Sequence, residues 1–180
     1  MTVDTSNMRQ VLVDFPKQCA EALAMAENVS VKGTFSKILV LGMGGSGIGG
    51  AIIQALLRDG TLPVFTSKDY DVPGCIGADT LTLAVSYSGN TEETLSALQK
   101  AAARGAATVA LTSGGEIASK AGTVVRVPGG LQPRCAVGYL LVPALRLLAN
   151  SGLSTLKEKD FSEIDLLEGA TIKPKVLTAE

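Results

Sequence analysis

The sequence has no histidine and no tryptophan, and aromatic residues make up only 4% of its 180 residues. Without histidine it lacks the side chain that most often transfers protons near neutral pH and that most often binds zinc. Its three cysteines, Cys19, Cys75 and Cys135, lie far apart and form no CxxC pair. We therefore predict no metal site and no disulfide framework. The cysteine pattern indicates a reducing compartment, for which the cytoplasm is the default.

An excess of charge of one sign is also missing. The chain carries 16 basic and 17 acidic side chains, so it lacks the basic surface expected of proteins that bind nucleic acids or anionic membranes. The longest apolar stretch, residues 136–149, is interrupted by Arg146 and is too short to span a bilayer. The first residues show no signal-peptide pattern. We expect a small-molecule ligand, and neither nucleic acid nor a membrane as a partner.

Glycine and apolar side chains are abundant, with 20 glycines and 46% hydrophobic residues. Five apolar runs lack polar–apolar alternation, which is typical of parallel strands covered on both faces. Segments with helical periodicity separate most of these runs. The pattern predicts an α/β fold, a three-layer α/β/α sandwich with a five-stranded parallel sheet of flavodoxin-like type. The predicted strands are Lys37–Leu41, Leu62–Phe65, Leu81–Val85, Ala107–Leu111 and Thr123–Val127.

The predicted domain spans residues 1–153, a length that suffices for one well-packed core. It opens with an amphipathic region from Thr5 to Asn28, in which Pro16 marks the first turn of a second helix. Residues 154–180 combine charged side chains with scattered leucine and isoleucine. We interpret them as a short amphipathic piece followed by a tail or linker.

Residues 86–91 (SYSGNT), which we call the hydroxyl loop, lie between a predicted strand and a predicted helix from Glu92 to Arg104. Free backbone N–H groups and the positive end of the helix dipole attract anions at a helix N-terminus, and hydroxyl groups add hydrogen bonds. The loop therefore predicts a phosphate site. The alternative is a capping box without a ligand, formed by Asn90 or Thr91 with a residue in the first helical turn.

Residues 42–47, which we call the glycine turn, match G-x-G-x-x-G between the first strand and a helix over 46–58. One interpretation is a dinucleotide site with Asp69 as the ribose partner. It leaves the hydroxyl loop unexplained, and Asp69 also fits an ordinary loop acid. A second interpretation is that the glycines only allow the strand and the helix to pack closely.

We favour a third interpretation, in which the glycine turn lines a substrate site. The Ser46 hydroxyl can reach a sugar oxygen, while Gly44 and Gly45 let the backbone approach a ligand without a Cβ clash. Ligands of parallel α/β sheets collect beyond the carboxyl ends of the strands. The glycine turn, the hydroxyl loop and the loops after the two last strands all follow such ends.

Arg134 follows Gln132-Pro133 and stands at the start of a predicted apolar helix, Cys135 to Leu148. A cation is disfavoured there by the helix dipole. This mismatch suggests that the planar guanidinium holds a phosphate or a developing oxyanion. The alternative is an exposed or salt-bridged arginine without a ligand.

Three motifs together, GMGGSGIGG at 42–50, SYSGNTEET at 86–94 and LQPR at 131–134, resemble the sugar isomerase (SIS) domain. Specifically, they resemble the first half of bifunctional phosphoglucose/phosphomannose isomerases, and FPKQ at 15–18 belongs to the same similarity. The resemblance implies an aldose–ketose isomerase that converts glucose 6-phosphate or mannose 6-phosphate to fructose 6-phosphate. An enediol route of this kind needs no cofactor.

Site residues are carried over by matching positions. The resemblance implies that the hydroxyl loop contacts the phosphate, that the glycine turn contacts the sugar, and that Arg134 stabilises the enediolate. The phosphate contacts would be Ser86, Ser88 and Thr91, and the sugar contacts would be Gly45 and Ser46.

Two catalytic groups of that family are missing from the chain. The family uses a histidine for ring opening, and its glutamate base lies in a second SIS domain. Glu92 and Glu93 are alternatives, although acids at a helix start usually cap and solvate the first turn. We expect the substrate-binding half of an isomerase, with 154–180 leading toward an absent second SIS domain, and little turnover by the chain alone. The alternatives are a non-catalytic sugar-phosphate sensor, or a small isomerase completed by a partner subunit in a homodimer.

Overall fold

In the computed structural model, which describes residues 7–60 and 62–164, five parallel strands form one sheet. Six α-helices and two 3₁₀ turns accompany them. The strands are β1 Lys37–Leu41, β2 Val64–Ser67, β3 Thr80–Val85, β4 Ala107–Thr112 and β5 Thr123–Arg126. The helices are α1 Met8–Val13, α2 Phe15–Met25, α3 Gly44–Leu56, α4 Glu92–Ala103, α5 Val137–Asn150 and α6 Glu158–Ser162, and the 3₁₀ turns are Glu116–Ser119 and Pro133–Cys135.

The strand order is β2-β1-β3-β4-β5, and every neighbouring pair is parallel. The register places Val40 beside Leu83 and Leu83 beside Val109. Chain order reverses between β1 and β3, so the crevice where ligands of such sheets bind lies between the ends of these two strands. The glycine turn follows β1 and the hydroxyl loop follows β3. The predicted α/β/α fold is confirmed.

Helices cover both faces of the sheet. On one face, Ile38 and Val40 pack in a cluster with buried side chains of α2, α3 and α5. On the other face, Leu39 and Leu41 pack in a second cluster with α4, whose Leu98 is fully buried. Successive residues of β1 therefore serve opposite cores, which explains the apolar run without alternation.

Three elements differ from their predicted bounds by two residues. Helix α3 begins at Gly44 instead of Ser46, since the Gly47 N–H already donates to the Met43 carbonyl at 3.0 Å. Strand β2 lies two residues later than predicted, after a proline that has no N–H to donate. Helix α5 begins at Val137, because a separate 3₁₀ turn precedes it.

The first part of the predicted tail packs against α5. Phe161 on α6 is 4% exposed, and the Arg146 guanidinium lies 5.0 Å from the centre of its ring. Arg146 also pairs with Glu158 at 2.5 Å. The rest of this tail, 165–180, lies outside the described residues, as does the beginning of the predicted opening region. Within the described residues, no helix has the combination of length and apolarity that crossing a bilayer needs.

Candidate functional site

Hydrogen bonds inside the hydroxyl loop fix its shape. The hydroxyl groups of Ser86 and Thr91 lie 3.0 Å apart, and the Gly89 N–H donates to Ser86 Oγ at 3.2 Å. Ser86 is buried, at 2% exposure, whereas Ser88 is exposed. Ser88 Oγ accepts a hydrogen bond from the Asn90 N–H at 3.3 Å. Each predicted hydroxyl therefore has a defined position. One hydrogen is used between Ser86 and Thr91, so one of these two hydroxyls can still donate to a ligand while they stay paired, and Ser88 keeps its own hydrogen.

The N-terminus of α4 has no side-chain cap. Instead of capping the helix, the Thr91 hydroxyl pairs with Ser86, and Asn90 Oδ1 accepts a hydrogen bond from the Glu116 N–H at 2.9 Å. The capping-box alternative is therefore wrong. The unpaired amides of the first turn of α4 stay available for an anion beside the hydroxyl loop.

The loop after β4 packs closely against the hydroxyl loop. Gly89 has φ +73°, and a Cβ on it would lie 1.8 Å from the Gly114 carbonyl oxygen. Gly115 has φ +75°, and its Cβ would lie 2.4 Å from the Ser88 carbonyl oxygen. The Ile117 N–H donates to the Gly89 carbonyl at 2.9 Å. The two loops thus touch through their backbones, at distances that only glycine allows.

Within the glycine turn, packing accounts for two of the motif glycines. A Cβ on Gly42 would lie 2.9 Å from the Val85 carbonyl oxygen. A Cβ on Gly47 would lie 2.5 Å from the Gly42 carbonyl oxygen, so the turn itself excludes a side chain there. Asp69 is exposed, and its Oδ1 accepts a hydrogen bond from the Tyr70 N–H at 2.6 Å, as an ordinary loop acid does. Neither feature requires a dinucleotide.

Ser46 connects the glycine turn to the hydroxyl loop. It lies in the first turn of α3 and is 7% exposed. Its Oγ accepts a hydrogen bond from the Tyr87 N–H at 3.3 Å. The hydroxyl hydrogen can still be donated to another group. Ser46 therefore lies at the crevice between β1 and β3, beside the loop that carries Ser86 and Ser88.

Gly45 and Arg134 are brought together by their backbones. A Cβ on Gly45 would lie 3.0 Å from Arg134 Cα, so the absence of a side chain lets the turn Pro133–Cys135 approach α3 closely. Arg134 is exposed, and among the described residues its guanidinium forms no hydrogen bond and no ion pair. Of the alternative, an exposed or salt-bridged arginine without a ligand, the exposure is therefore observed and, within the described part of the chain, the salt bridge is not. The structure does not join this guanidinium to the hydroxyl loop directly.

Two side chains that sequence reasoning did not assign hold this arrangement. The Tyr87 hydroxyl donates to the Pro128 carbonyl at 2.8 Å and accepts from the Leu131 N–H at 3.0 Å. Gln18 Nε2 donates to the Cys135 carbonyl at 2.9 Å. A signal for Gln18 exists in the sequence, because this polar residue occupies the apolar face of α2.

Charges differ between the two sides of the crevice. Glu92 and Glu93 begin α4, and the negative charge of Glu93 is the main cause that raises the pKa of the exposed Tyr70. Arg134 lies on the side of α3 and α5. Among residues 7–60 and 62–164, no group of three or more histidine, cysteine or acidic side chains is placed to hold a metal ion.

Comparison with known proteins identifies the family. Residues 35–140 match the SIS domain model. A bifunctional phosphoglucose/phosphomannose isomerase from Caldicellulosiruptor bescii is 42% identical over 154 residues, which cover 81% of this chain and 45% of that protein. A protein of the same name from Thermoplasma acidophilum is 42% identical over 146 residues, covering 81% and 46%. The crystal structure of a candidate phosphosugar isomerase from Clostridium difficile 630 has a TM-score of 0.71 at 17% identity, covering 91% and 51%.

The chain spans about half the length of the curated relatives it matches. The structural likeness supports the fold, and the family model covers more than half of the chain. These findings confirm the resemblance inferred from the three motifs. This chain belongs to the SIS domain family.

Proposed function

We propose that the chain binds a phosphorylated hexose at the carboxyl edge of its sheet. In this proposal it is the phosphate- and substrate-binding half of an aldose–ketose isomerase. Its reaction would convert glucose 6-phosphate or mannose 6-phosphate to fructose 6-phosphate. The names of the relatives support this reaction over the alternative of a non-catalytic sensor.

The uncapped start of α4 is the observation that carries the proposal. Its first-turn amides directly follow the hydroxyl loop, which carries the hydroxyl groups of Ser86 and Thr91 and the exposed Ser88. A phosphate carries the charge that a helix N-terminus favours and accepts several hydrogen bonds at once. We therefore assign the phosphate of the ligand to the hydroxyl loop.

The sugar is assigned to the other side of the crevice. Ser46 Oγ lies within hydrogen-bond distance of the hydroxyl loop backbone, and Gly45 lies against Arg134. A sugar that extends from the phosphate toward α3 would meet the Ser46 hydroxyl and then the guanidinium. Arg134 then provides the positive charge that stabilises an enediolate.

Isomerisation also needs an acid to open the ring and a base that moves a proton between adjacent carbons. We propose that these groups come from a second SIS domain, or from the partner subunit of a homodimer. The free state of Cys19, Cys75 and Cys135 is compatible with the cytoplasm as the place of action.

Calorimetry with the full chain tests the ligand class. Glucose 6-phosphate, fructose 6-phosphate and mannose 6-phosphate are titrated in turn, with unphosphorylated glucose as the control. We expect heat of binding from at least one hexose phosphate and none from glucose, because the phosphate provides the charge-assisted contacts. If none of the three sugar phosphates binds, the proposed function is wrong.

Two substitutions test the site. Ser88→Ala and Arg134→Ala should each weaken hexose-phosphate binding, since a hydrogen bond to a charged group contributes roughly 1.5 to 3 kcal/mol. The matched controls are Ser162→Ala on α6 and Arg58→Ala, whose side chain pairs with the neighbouring Asp59. Both controls should bind as the unaltered chain does. Unchanged affinity in Ser88→Ala and Arg134→Ala would refute the site assignment.

A further inference from the structure

Residues 128–138, which we call the arginine segment, carry Arg134 and lead from the end of β5 into the first turn of α5. Gln132, Pro133 and Arg134 are exposed, and the hydrogen bonds inside this stretch are local, such as the Cys135 N–H donating to the Gln132 carbonyl at 2.8 Å. Ala136 near the end of the segment is fully buried, but of residues 128–134 only Leu131 packs against the core, so this part has little packing to hold it. Its position therefore depends on side chains from other parts of the chain.

Tyr87 supports the first half of the arginine segment. Its ring is 5% exposed, and its hydroxyl bonds to both the Pro128 carbonyl and the Leu131 N–H. Its own backbone belongs to the hydroxyl loop: its N–H donates to Ser46 Oγ, and its carbonyl accepts from Ser113 Oγ at 2.6 Å. One residue thus links the hydroxyl loop, the glycine turn and the arginine segment.

Gln18 supports the second half. It is 6% exposed and uses both ends of its amide. Nε2 donates to the Cys135 carbonyl, and Oε1 accepts from the Gly138 N–H at 2.8 Å and from the Tyr139 N–H at 3.4 Å. A Cβ on Gly138 would lie 2.6 Å from Oε1, so glycine is required for this approach. Gln18 satisfies backbone groups at the start of α5 as a cap would.

We propose that Tyr87 and Gln18 are positioning residues, which set the arginine segment at a fixed distance from the hydroxyl loop. This proposal rests on the proposed function for its consequence: a ligand whose phosphate is bound at the loop then finds the Arg134 guanidinium at its sugar end. Tyr87 couples the hydroxyl loop to the arginine segment directly, since its backbone lies in the loop and its hydroxyl holds the segment. Fixed supports of this kind lower the entropic cost of presenting a long side chain.

Amide hydrogen exchange without ligand tests the support itself. Tyr87→Phe keeps the ring but removes the hydroxyl that holds Leu131, so exchange of the Leu131 amide should become about tenfold faster or more. Tyr139→Phe is the matched control, because it removes another largely buried tyrosine hydroxyl, bonded to Glu21 instead of the arginine segment. Unchanged Leu131 exchange in Tyr87→Phe would overturn the proposal.

A double-mutant cycle tests the consequence for the ligand. Tyr87→Phe should weaken fructose 6-phosphate about threefold to tenfold, and the same change should have little further effect in an Arg134→Ala background. Binding of inorganic phosphate, which the hydroxyl loop would hold, should stay within about twofold in Tyr87→Phe. An equal loss for both ligands, or an equal loss with and without Arg134, would show a structural role and overturn the positioning role.

Gln18→Glu provides a second variant that keeps the shape of the side chain. Its carboxylate can still accept from the Gly138 N–H, but it cannot donate to the Cys135 carbonyl. It should weaken fructose 6-phosphate in the same Arg134-dependent way, and an equal loss in the Arg134→Ala background would count against Gln18. If the unaltered chain binds neither fructose 6-phosphate nor phosphate, the proposed function fails, while Leu131 exchange still decides whether Tyr87 holds the segment.

Discussion

The hydroxyl loop and the arginine segment lie at the same edge of the sheet but are held in different ways. In the loop, Ser86 bonds to Thr91 five positions away, and glycine backbones touch the neighbouring turn. The arginine segment depends on Tyr87, 41 positions before Pro128, and on Gln18, 117 positions before Cys135. The loop is built mainly from its own sequence and one adjacent turn. The segment is placed by distant side chains.

The largest expected effect comes from breaking the loop. Gly89→Ala forces a side chain into a left-handed backbone conformation and into the Gly114 carbonyl oxygen, 1.8 Å from the new Cβ. The two backbones must separate, so the free energy of unfolding should fall by about 4 kcal/mol or more. Urea denaturation measures this change.

Two other glycines provide controls for that substitution. Gly130 has φ +91° with open space around its Cβ position, so Gly130→Ala should cost only the backbone strain, about 1 to 2 kcal/mol. Gly49 lies in α3 with nothing near its Cβ position, so Gly49→Ala should stabilise the protein by about 0.5 to 1 kcal/mol. A loss in Gly89→Ala no larger than in Gly130→Ala would contradict the close contact of the loops.

The fold was predictable because burial leaves a simple pattern. A strand covered on both faces is mainly apolar: β1 is apolar after Lys37, and threonine is the only polar residue type in β3 and β4. The edge strand β2 pairs on one side only, and its exposed Thr66 blurs the pattern, so its position was two residues off. The start of α3 was also missed, since glycine is a poor helix former and Gly44 and Gly45 carry no helical signal.

The contacts around the candidate site were less predictable, because most of them join residues that lie far apart in the sequence. The hydroxyl loop could be recognised because its residue types and its place before a helix are local. No local rule reveals that Asn90 bonds to Glu116 instead of capping α4, or that Tyr87 reaches Pro128. Partners of this kind follow from strand order, which brings distant loops to one edge. Gln18 was visible only as a polar residue on an apolar helix face.

A smaller effect is expected from removing a support of the arginine segment. Gln18→Ala leaves the partly buried Cys135 carbonyl and the buried Gly138 N–H without their partner. The free energy of unfolding should fall by about 2 to 3 kcal/mol, the cost of unsatisfied buried groups. The control is Gln10→Ala, whose exposed amide donates to Asp14 and should cost about 0.5 kcal/mol or less. Urea denaturation measures both losses. Equal losses in the two variants would show that Gln18 stabilises the arginine segment no more than an exposed surface hydrogen bond would.

The smallest effect concerns pH and the packing of α2 on α5, behind the arginine segment. Burial, followed by the hydrogen bond to Glu21 and its negative charge, raises the pKa of Tyr139 from its ordinary 10.0 to about 12. Folding therefore favours the neutral phenol, and this contribution to stability is complete below pH 10 and is lost as pH rises from 10 through about 12. Between these values the free energy of unfolding should fall less steeply in Tyr139→Phe than in the unaltered chain. Urea denaturation across this pH range measures both slopes, and identical slopes would mean that the Tyr139–Glu21 contact does not link α2 to α5 in solution.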